Sequence, residues 1–135
     1  MKIVMIANQE LPAGILANTT AVLGISLGRM VENITGDDLT DADGNRHSGI
    51  TSLAIPILGA TREQIKQIRD CDYLEQYADV AFVGFSEVAQ RCLDYEEYRQ
   101  RLGALASADI YYLGICLYGP KKKVNKLTGM LGLLR

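Results

Sequence analysis

The sequence has few of the residues that build metal sites or disulfide frameworks. Its 135 residues include one histidine and three cysteines, and no Cys-x-x-Cys pair occurs. An odd, widely spaced set of cysteines excludes a zinc finger and a disulfide scaffold. We therefore predict no metal site, no cofactor and a reducing, cytoplasmic location.

Strong charge of either sign is also lacking. The formal net charge is −2 at pH 7, which argues against nucleic acid or an anionic membrane surface as a partner. Only three prolines occur, while 48% of the residues are hydrophobic and 22% are charged. This composition is typical of a globular protein, and the length predicts one domain over residues 1–135.

One segment, Leu11 to Gly28, has no charged residue and approaches the length of a membrane span. No basic cluster flanks it to set an orientation. Polar and helix-weakening residues interrupt it: Pro12, Gly14, Asn18, Thr19, Thr20, Gly24, Ser26 and Gly28. We predict a helix over about residues 14–32 that is buried on most sides in a protein outside the membrane.

Apolar runs of strand length alternate with helical patterns along the chain. The predicted strands cover residues 2–7, 50–58, 80–85 and 111–118. Further helices begin at Thr61, Ser86 and Asp94, and a last one carries Val124, Leu127, Leu131 and Leu134 at helical spacing. This order predicts a three-layer α/β domain with a largely parallel four-stranded sheet.

The connection from the first strand to the first helix is the main candidate ligand site. In α/β sheets ligands bind beyond the carboxyl ends of the strands, and a helix start offers free N–H groups to an anion. Asn8, Gly14, Asn18 and Thr19 lie in this connection or in the first turns after it. No phosphate-loop motif is present. The alternative is that Asn18 and Thr19 bind only local backbone groups.

Two further residues are candidates for a functional site. His47 is the only histidine and hence the only candidate general base that titrates near neutral pH. Lys121 is the first of three lysines at a predicted helix start, where cations oppose the helix dipole unless an anion binds. The alternatives are a hydrogen-bonded structural histidine and a solvated basic turn.

Residues 35–48 are polar and rich in turn-forming residues. Asp43-Gly44 is a strong hairpin signal, because glycine accepts the positive φ that a tight turn requires. The segment Asp41–Asn45 is similar to the start of a calcium loop, yet its twelfth position is Ser52 rather than glutamate. We therefore interpret it as a turn.

Several short motifs together resemble an uncharacterised, mostly bacterial family, a domain of unknown function. They are Glu10-Leu11-Pro12-Ala13-Gly14, Ala17-Asn18, Asp41-Ala42-Asp43-Gly44, His47-x-Gly49-Ile50, Pro56-Ile57-Leu58, Gly119-Pro120-Lys121 and the terminal Leu-Gly-Leu-Leu-Arg. The resemblance implies the fold of type 2 peptidyl-tRNA hydrolases. That fold is a mixed four-stranded sheet between helical layers, often dimeric, with the final strand antiparallel to its neighbours.

The chain differs from those hydrolases at the positions of their functional residues. They carry Gly-Lys at this junction, then Ala-Ala-Gln, then a histidine one turn later. Here Ile15 follows Gly14, Thr19 takes the glutamine position, and Val22 takes the histidine position. Isoleucine cannot bind a phosphate or polarise an ester as lysine does.

Three hypotheses follow. The first is a protein that binds a small anionic or polar ligand in a pocket formed by the Asn8–Asn18 junction, His47 and Lys121. The second is an esterase similar to peptidyl-tRNA hydrolases, with a displaced set of catalytic residues at other positions of the chain. If the chain is an enzyme, we therefore expect a hydrolase. The third is a non-enzymatic module that forms a homodimer through the uncharged first helix, whose Gly24 and Gly28 are predicted to allow close approach.

Overall fold

The computed structural model describes residues 1–135. In chain order its elements are β1 (Lys2–Asn8), α1 (Ala13–Met30), β2 (Leu39–Thr40), β3 (Arg46–His47), β4 (Ile57–Ala60), α2 (Arg62–Asp70), β5 (Ala81–Ser86), α3 (Glu87–Arg91), α4 (Tyr95–Gly103), β6 (Tyr112–Gly119) and α5 (Lys121–Thr128). Single 3-10 turns occupy Cys71–Tyr73, Glu75–Tyr77 and Ser107–Asp109.

The opening apolar run forms the central strand β1. Ile3 and Met5 pack on one face of the sheet, whereas Val4 and Ile6 pack on the other, and all four are buried. A strand covered on both faces needs apolar residues at every position, which explains why the run does not alternate with polar residues.

The four long strands form one mixed sheet in the order β4-β1-β6-β5. β1 pairs with β4 in parallel, while β6 runs antiparallel to both β1 and β5. Three strands therefore share a direction, but only one of the three pairings is parallel. The expectation of a largely parallel sheet needs this correction, and the antiparallel final strand that the resemblance implied is confirmed.

Helices cover both faces of the sheet. On one face α1 buries Leu23 and Leu27 against the side of β1 that carries Ile3 and Met5. On the other face α2 and α5 supply the apolar residues Ile65, Ile68, Val124 and Leu127. None of the helices is long and apolar enough to cross a membrane.

The first helix matches its predicted range within two residues, but it is not buried on most sides as predicted. Only Thr19, Leu23 and Leu27 are buried, so the helix has one covered face rather than several. Gly24 lies near the Met5 side chain, whereas a Cβ atom at Gly28 would meet nothing within 4 Å. Because a Cβ atom at Gly24 would lie 3.8 Å from Met5 Cε, which is an ordinary van der Waals contact, the expected close approach is seen at neither glycine.

Two predicted elements are shorter than expected. The strand predicted over residues 50–58 begins at Ile57, after Pro56, whose carbonyl accepts from the Met5 N–H. The last helix ends at Thr128, because Gly129 and Gly132 weaken a continuation. The tail instead runs beside β4, where Leu134 N–H donates to the Ile57 carbonyl.

The position of α1 over the sheet depends on a missing side chain in β6. A Cβ atom at Gly114 would lie 2.7 Å from Thr19 Cγ2 and 3.0 Å from the Ile6 carbonyl oxygen. Thr19 is fully buried in this contact. A side chain at residue 114 would therefore push α1 away from the central strands.

We expect Gly114→Ala to lower the free energy of unfolding by about 1–3 kcal/mol, because the added methyl overpacks this contact. Urea denaturation measures the change. A second substitution, Thr19→Ser, removes the closest methyl and should recover part of the loss. Gly103→Ala is the matched control, since a Cβ atom there meets nothing within 4 Å. Equal stability of Gly114→Ala and wild type would contradict the packing described here.

Candidate functional site

The carboxyl ends of the three strands that share a direction meet at one edge of the sheet, here called the carboxyl edge. Asn8 ends β1 and pairs in register with Ala60, the last residue of β4. Ser86 ends β5, and β6 begins at the same edge because it runs the opposite way. Helices α1, α2 and α3 each follow one of these strands, so their first turns lie at this edge.

Of these three helices, α1 is the one with no side-chain cap. Thr61 caps α2 in a capping box with Gln64, as predicted, and the Ser86 hydroxyl accepts from the Ala89 N–H in α3. The residue before α1 is Pro12, which has no side-chain acceptor. The first helical bond runs from Leu16 N–H to the Pro12 carbonyl, which leaves the N–H groups of residues 13–15 without a partner.

The surroundings of this helix start are open. Pro12, Ala13 and Gly14 are exposed, and a Cβ atom at Gly14 would meet nothing within 4 Å. Asn8 lies beside them at the end of β1, and its side-chain oxygen accepts from the Glu10 N–H. The side-chain amide of Asn8 thus remains free to donate. Asn8 and Gly14 therefore lie at the two ends of the β1–α1 connection, and their role in binding stays a prediction.

Two other predicted residues of this junction are not part of the helix start. Thr19 is fully buried, and its hydroxyl donates to the Ile15 carbonyl, so its assignment to a ligand site is wrong. For Thr19 this hydrogen bond agrees with the alternative given from the sequence, that the residue binds only a local backbone group. Asn18 is exposed on the outer face of α1, one turn beyond the free N–H groups.

His47 lies in the short β2–β3 hairpin, with its side chain 64% exposed. Its Nε2 is 2.9 Å from Asp41 Oδ2. The other oxygen of Asp41 accepts from the N–H groups of Asp43 and Asn45, which closes the predicted turn. Hydrogen bonding to His47 lowers the pKa of Asp41. This geometry is that of a structural histidine.

Lys121 begins α5 and follows the end of β6. Because β6 is antiparallel to β1, Gly119 pairs with Lys2 at the opposite edge of the sheet from Asn8. The length of β1 separates the two positions by about 20 Å. The neighbouring Lys123 is already paired, its Nζ lying 2.7 Å from Asp79 Oδ1.

The pocket expected from Asn18, His47 and Lys121 does not form, and this prediction is wrong. His47 lines a cavity of about 650 Å³ within the loop of residues 36–52. Lys121 lines a different cavity, of about 320 Å³, with Lys2 and Pro56. Neither cavity contains a residue of the β1–α1 junction.

The structure reveals a charged group at the carboxyl edge that the sequence analysis missed. Arg62, the first residue of α2, donates to both carboxylate oxygens of Glu87 in α3, at 2.7 and 2.9 Å. Its guanidinium also lies 3.5 Å from the ring centroid of Tyr111, just before β6. The sequence carries no local signal for this pair, because the two residues are 25 positions apart in the chain.

This ion pair changes the protonation of its members. The hydrogen bond from Arg62 lowers the pKa of Glu87, although burial acts in the opposite direction. The same bond raises the pKa of Arg62. Both groups are therefore charged at neutral pH, and the Nη1 group of Arg62 has no partner in the chain.

The cysteines do not form a reactive centre. Cys116 is fully buried, as predicted, and burial raises its pKa to about 12. Burial also raises the pKa of Cys71, and the neighbouring Asp70 carboxylate adds to the effect. A thiol whose pKa is raised has little thiolate at neutral pH and is a poor nucleophile.

Comparison with known proteins identifies a family and a fold. A sequence model of the family described as protein of unknown function (DUF2000) matches residues 1–135. Among solved structures, the protein of unknown function Atu0240 from Agrobacterium tumefaciens strain C58 superposes with a TM-score of 0.86. The match covers 98% of this chain and 96% of that chain at 20% identity, and shows the fold alone. A search of curated proteins gave no match.

We expect iodoacetamide at pH 8 to alkylate Cys116 at least about a hundredfold more slowly than Cys71 and Cys92 in the folded protein, because its thiol is buried and holds its proton. Mass spectrometry of peptides measures the rates. In urea the three rates should become similar. Equal alkylation of Cys116 in the folded protein would show that the side of the sheet under α1 is open to solvent.

We expect Glu87→Gln to lower the free energy of unfolding at pH 7 by about 1–2 kcal/mol, because Arg62 loses its charged partner. The pKa of Glu87 in the folded chain is below its ordinary value of 4.5. The ion pair therefore stabilises the folded chain fully above pH 4.5, and this stabilisation is lost as the pH falls through the pKa of Glu87 in the folded chain.

Urea denaturation at pH 7 and pH 3 measures this dependence, and the difference between the variant and wild type should shrink at pH 3. Glu96→Gln is the control, since Glu96 and Arg99 form a pair in which both side chains are more than half exposed. We expect that control to change stability by less than about 0.5 kcal/mol. A Glu87→Gln effect that is equal at both pH values would refute the role of the ion pair.

Proposed function

The chain belongs to the family of proteins of unknown function DUF2000, and we propose that it binds a small anionic or polar ligand at the start of α1. The observation that carries this proposal is the uncapped, exposed first turn of α1, with free N–H groups at residues 13–15. Free N–H groups and the helix dipole together favour a negatively charged oxygen at such a position.

One neighbouring group supports the proposal. The Asn8 side-chain amide is free to donate to a second oxygen of the ligand, because only its oxygen is used within the chain. Arg62 lies at the same edge of the sheet, but α2 packs on the opposite face from α1 and the Arg62 charge is paired with Glu87. Arg62 is therefore not assigned to this site. None of the four cavities contains a residue of the junction, so the proposed ligand binds at an open surface.

Hydrolysis of peptidyl-tRNA receives no support from the side chains at the matching positions. Thr19 replaces the glutamine and is buried, and Val22 replaces the histidine and has no titratable group. Neither residue is a general base. The resemblance to the fold of type 2 hydrolases stays a prediction, and we propose binding rather than catalysis.

A titration of ¹⁵N-labelled protein with inorganic phosphate tests the proposal. We expect saturable shifts of the amide signals of residues 13–15 and of the Asn8 side chain, with a Kd on the order of 1 mM for this small probe. Asn8→Asp should weaken binding by about three- to tenfold, because it replaces the amide donor by a negative charge while keeping the oxygen that accepts from the Glu10 N–H.

Pro12→Asp separates ligand binding from folding. Its carboxylate would cap α1, which raises stability by about 0.5–2 kcal/mol while occupying the N–H groups that phosphate needs. Phosphate binding should therefore be lost in a variant that is at least as stable as wild type. Pro120→Asp is the matched control, since Pro120 likewise precedes an uncapped helix, α5. Shifts confined to Lys121 and Lys122, or turnover of peptidyl-tRNA by the same preparation, would refute the proposal.

A further inference from the structure

A cavity of about 500 Å³ opens beside β5, the last strand of the sheet. No further strand follows β5 in the sheet order, which leaves space between α1 and the segment that carries α3 and α4. We call this space the tyrosine cavity, and the lining residues that matter here are Val22, Ser26, Phe85, Asp94, Tyr95 and Tyr98. Its volume is within the range of about 300–1,000 Å³ that small-molecule sites have.

Two tyrosines of α4 form one corner of the tyrosine cavity. Tyr95 and Tyr98 are three positions apart, which places them on one face of the helix. Their ring centroids are 5.6 Å apart and their planes meet at 85°, so the rings form two walls at nearly a right angle. The buried Phe85 of β5 supplies a third ring. Aromatic rings that surround a space in this way attract cations to their faces.

The cavity also leaves large apolar side chains uncovered. Leu93 is 96% exposed and Tyr95 is 72% exposed, and both line the cavity. They adjoin the apolar side chains of Val22 and Phe85, so the lining is continuous from the sheet to the surface. Exposed apolar surface that adjoins a cavity is typical of a place where a ligand with an apolar body binds.

The charge in the cavity is negative and has no counter-ion. Asp94 is the one charged residue that lines it, and Asp94 forms no ion pair within the chain. One of its oxygens, Oδ1, accepts from the Glu97 N–H at 2.8 Å and thereby caps α4. The positive end of the helix dipole is offset by Asp94 together with Glu96 and Glu97 in the first turn. The cavity therefore favours a cation and disfavours an anion.

A cation of the chain itself lies near one of these rings. The guanidinium carbon of Arg99 is 5.9 Å from the ring centroid of Tyr95, and its Nε is 3.3 Å from a carboxylate oxygen of Glu96. Arg99 does not line the cavity. The Tyr95 ring is thus placed where it attracts a cation, while the carboxylate inside the cavity is left without one.

We propose that the tyrosine cavity binds a small organic cation whose ammonium nitrogen carries methyl or other alkyl groups. The rings contact the alkyl groups, over which the positive charge is spread, and Asp94 supplies the opposite charge. An unsubstituted ammonium group fits less well, because it is strongly hydrated. The cavity shares no residue with the start of α1, where free N–H groups favour an anion, so the two sites select ligands of opposite charge.

A titration of ¹⁵N-labelled protein with choline tests the proposal, because choline carries a trimethylammonium group. The matched probe is its neutral carbon analogue, an alcohol in which a tert-butyl group replaces the trimethylammonium group. We expect saturable shifts of the amide signals of Ser26, Tyr95 and Tyr98, with a Kd on the order of 1 mM for choline. The neutral analogue should bind at least about tenfold more weakly, because it has the same shape without the charge.

Two substitutions separate the charge from the rings. Asp94→Asn removes the charge and keeps the oxygen that caps α4, so choline should bind about three- to tenfold more weakly and the neutral analogue as before. Asp109→Asn makes the same change in net charge outside the cavity and should leave both affinities unchanged. Tyr95→Leu removes one ring and should weaken choline binding by about three- to tenfold. Tyr73→Leu is its matched control, since Tyr73 is 64% exposed and does not line the cavity.

Circular dichroism checks that each variant is folded. Equal binding of choline and its neutral analogue overturns the proposal, as does the absence of saturable shifts in the cavity. A choline affinity that neither Asp94→Asn nor Tyr95→Leu changes overturns it as well. Phosphate should bind Asp94→Asn as it binds wild type, and choline should leave the amide signals of residues 13–15 in place, so the two ligand sites are tested separately.

Discussion

The arrangement of this molecule depends on how closely α1 packs against the central strands. Thr19 meets β6 at Gly114, where a side chain would not fit. This contact fixes the rotation of α1 about its own axis, because only one face of the helix can carry Thr19, Leu23 and Leu27 to the sheet. The position of the free N–H groups at the carboxyl edge follows from α1 lying along the sheet directly after β1.

Much of the fold could be predicted from local patterns. The uninterrupted apolar run at β1 indicated a strand covered on both faces, and the capping box at Thr61 marked the start of α2. The end of the last helix was missed, although Gly129 and Gly132 weaken a helix. The tail forms backbone hydrogen bonds to β4 instead, and such pairing between distant segments leaves no periodic signal in the sequence.

The candidate site was harder to predict because it depends on the direction of each strand. In a largely parallel sheet the end of the last strand would lie beside Asn8, and Lys121 would reach the start of α1. Since β6 runs antiparallel, Lys121 lies at the other edge. Arg62 and Glu87 are brought together by tertiary structure across 25 positions of the chain, so no local motif announced them.

The packing of α1 over the central strands is the claim on which the placement of the ligand site rests. The most direct measurement is the nuclear Overhauser effect between the Thr19 γ-methyl group and the α protons of Gly114 in solution. We expect a strong cross-peak, because no side chain separates these groups. If the Thr19 methyl shows no contact with Gly114 while the protein is folded, α1 does not lie over the central strands as described, and the placement of the ligand site at its start fails.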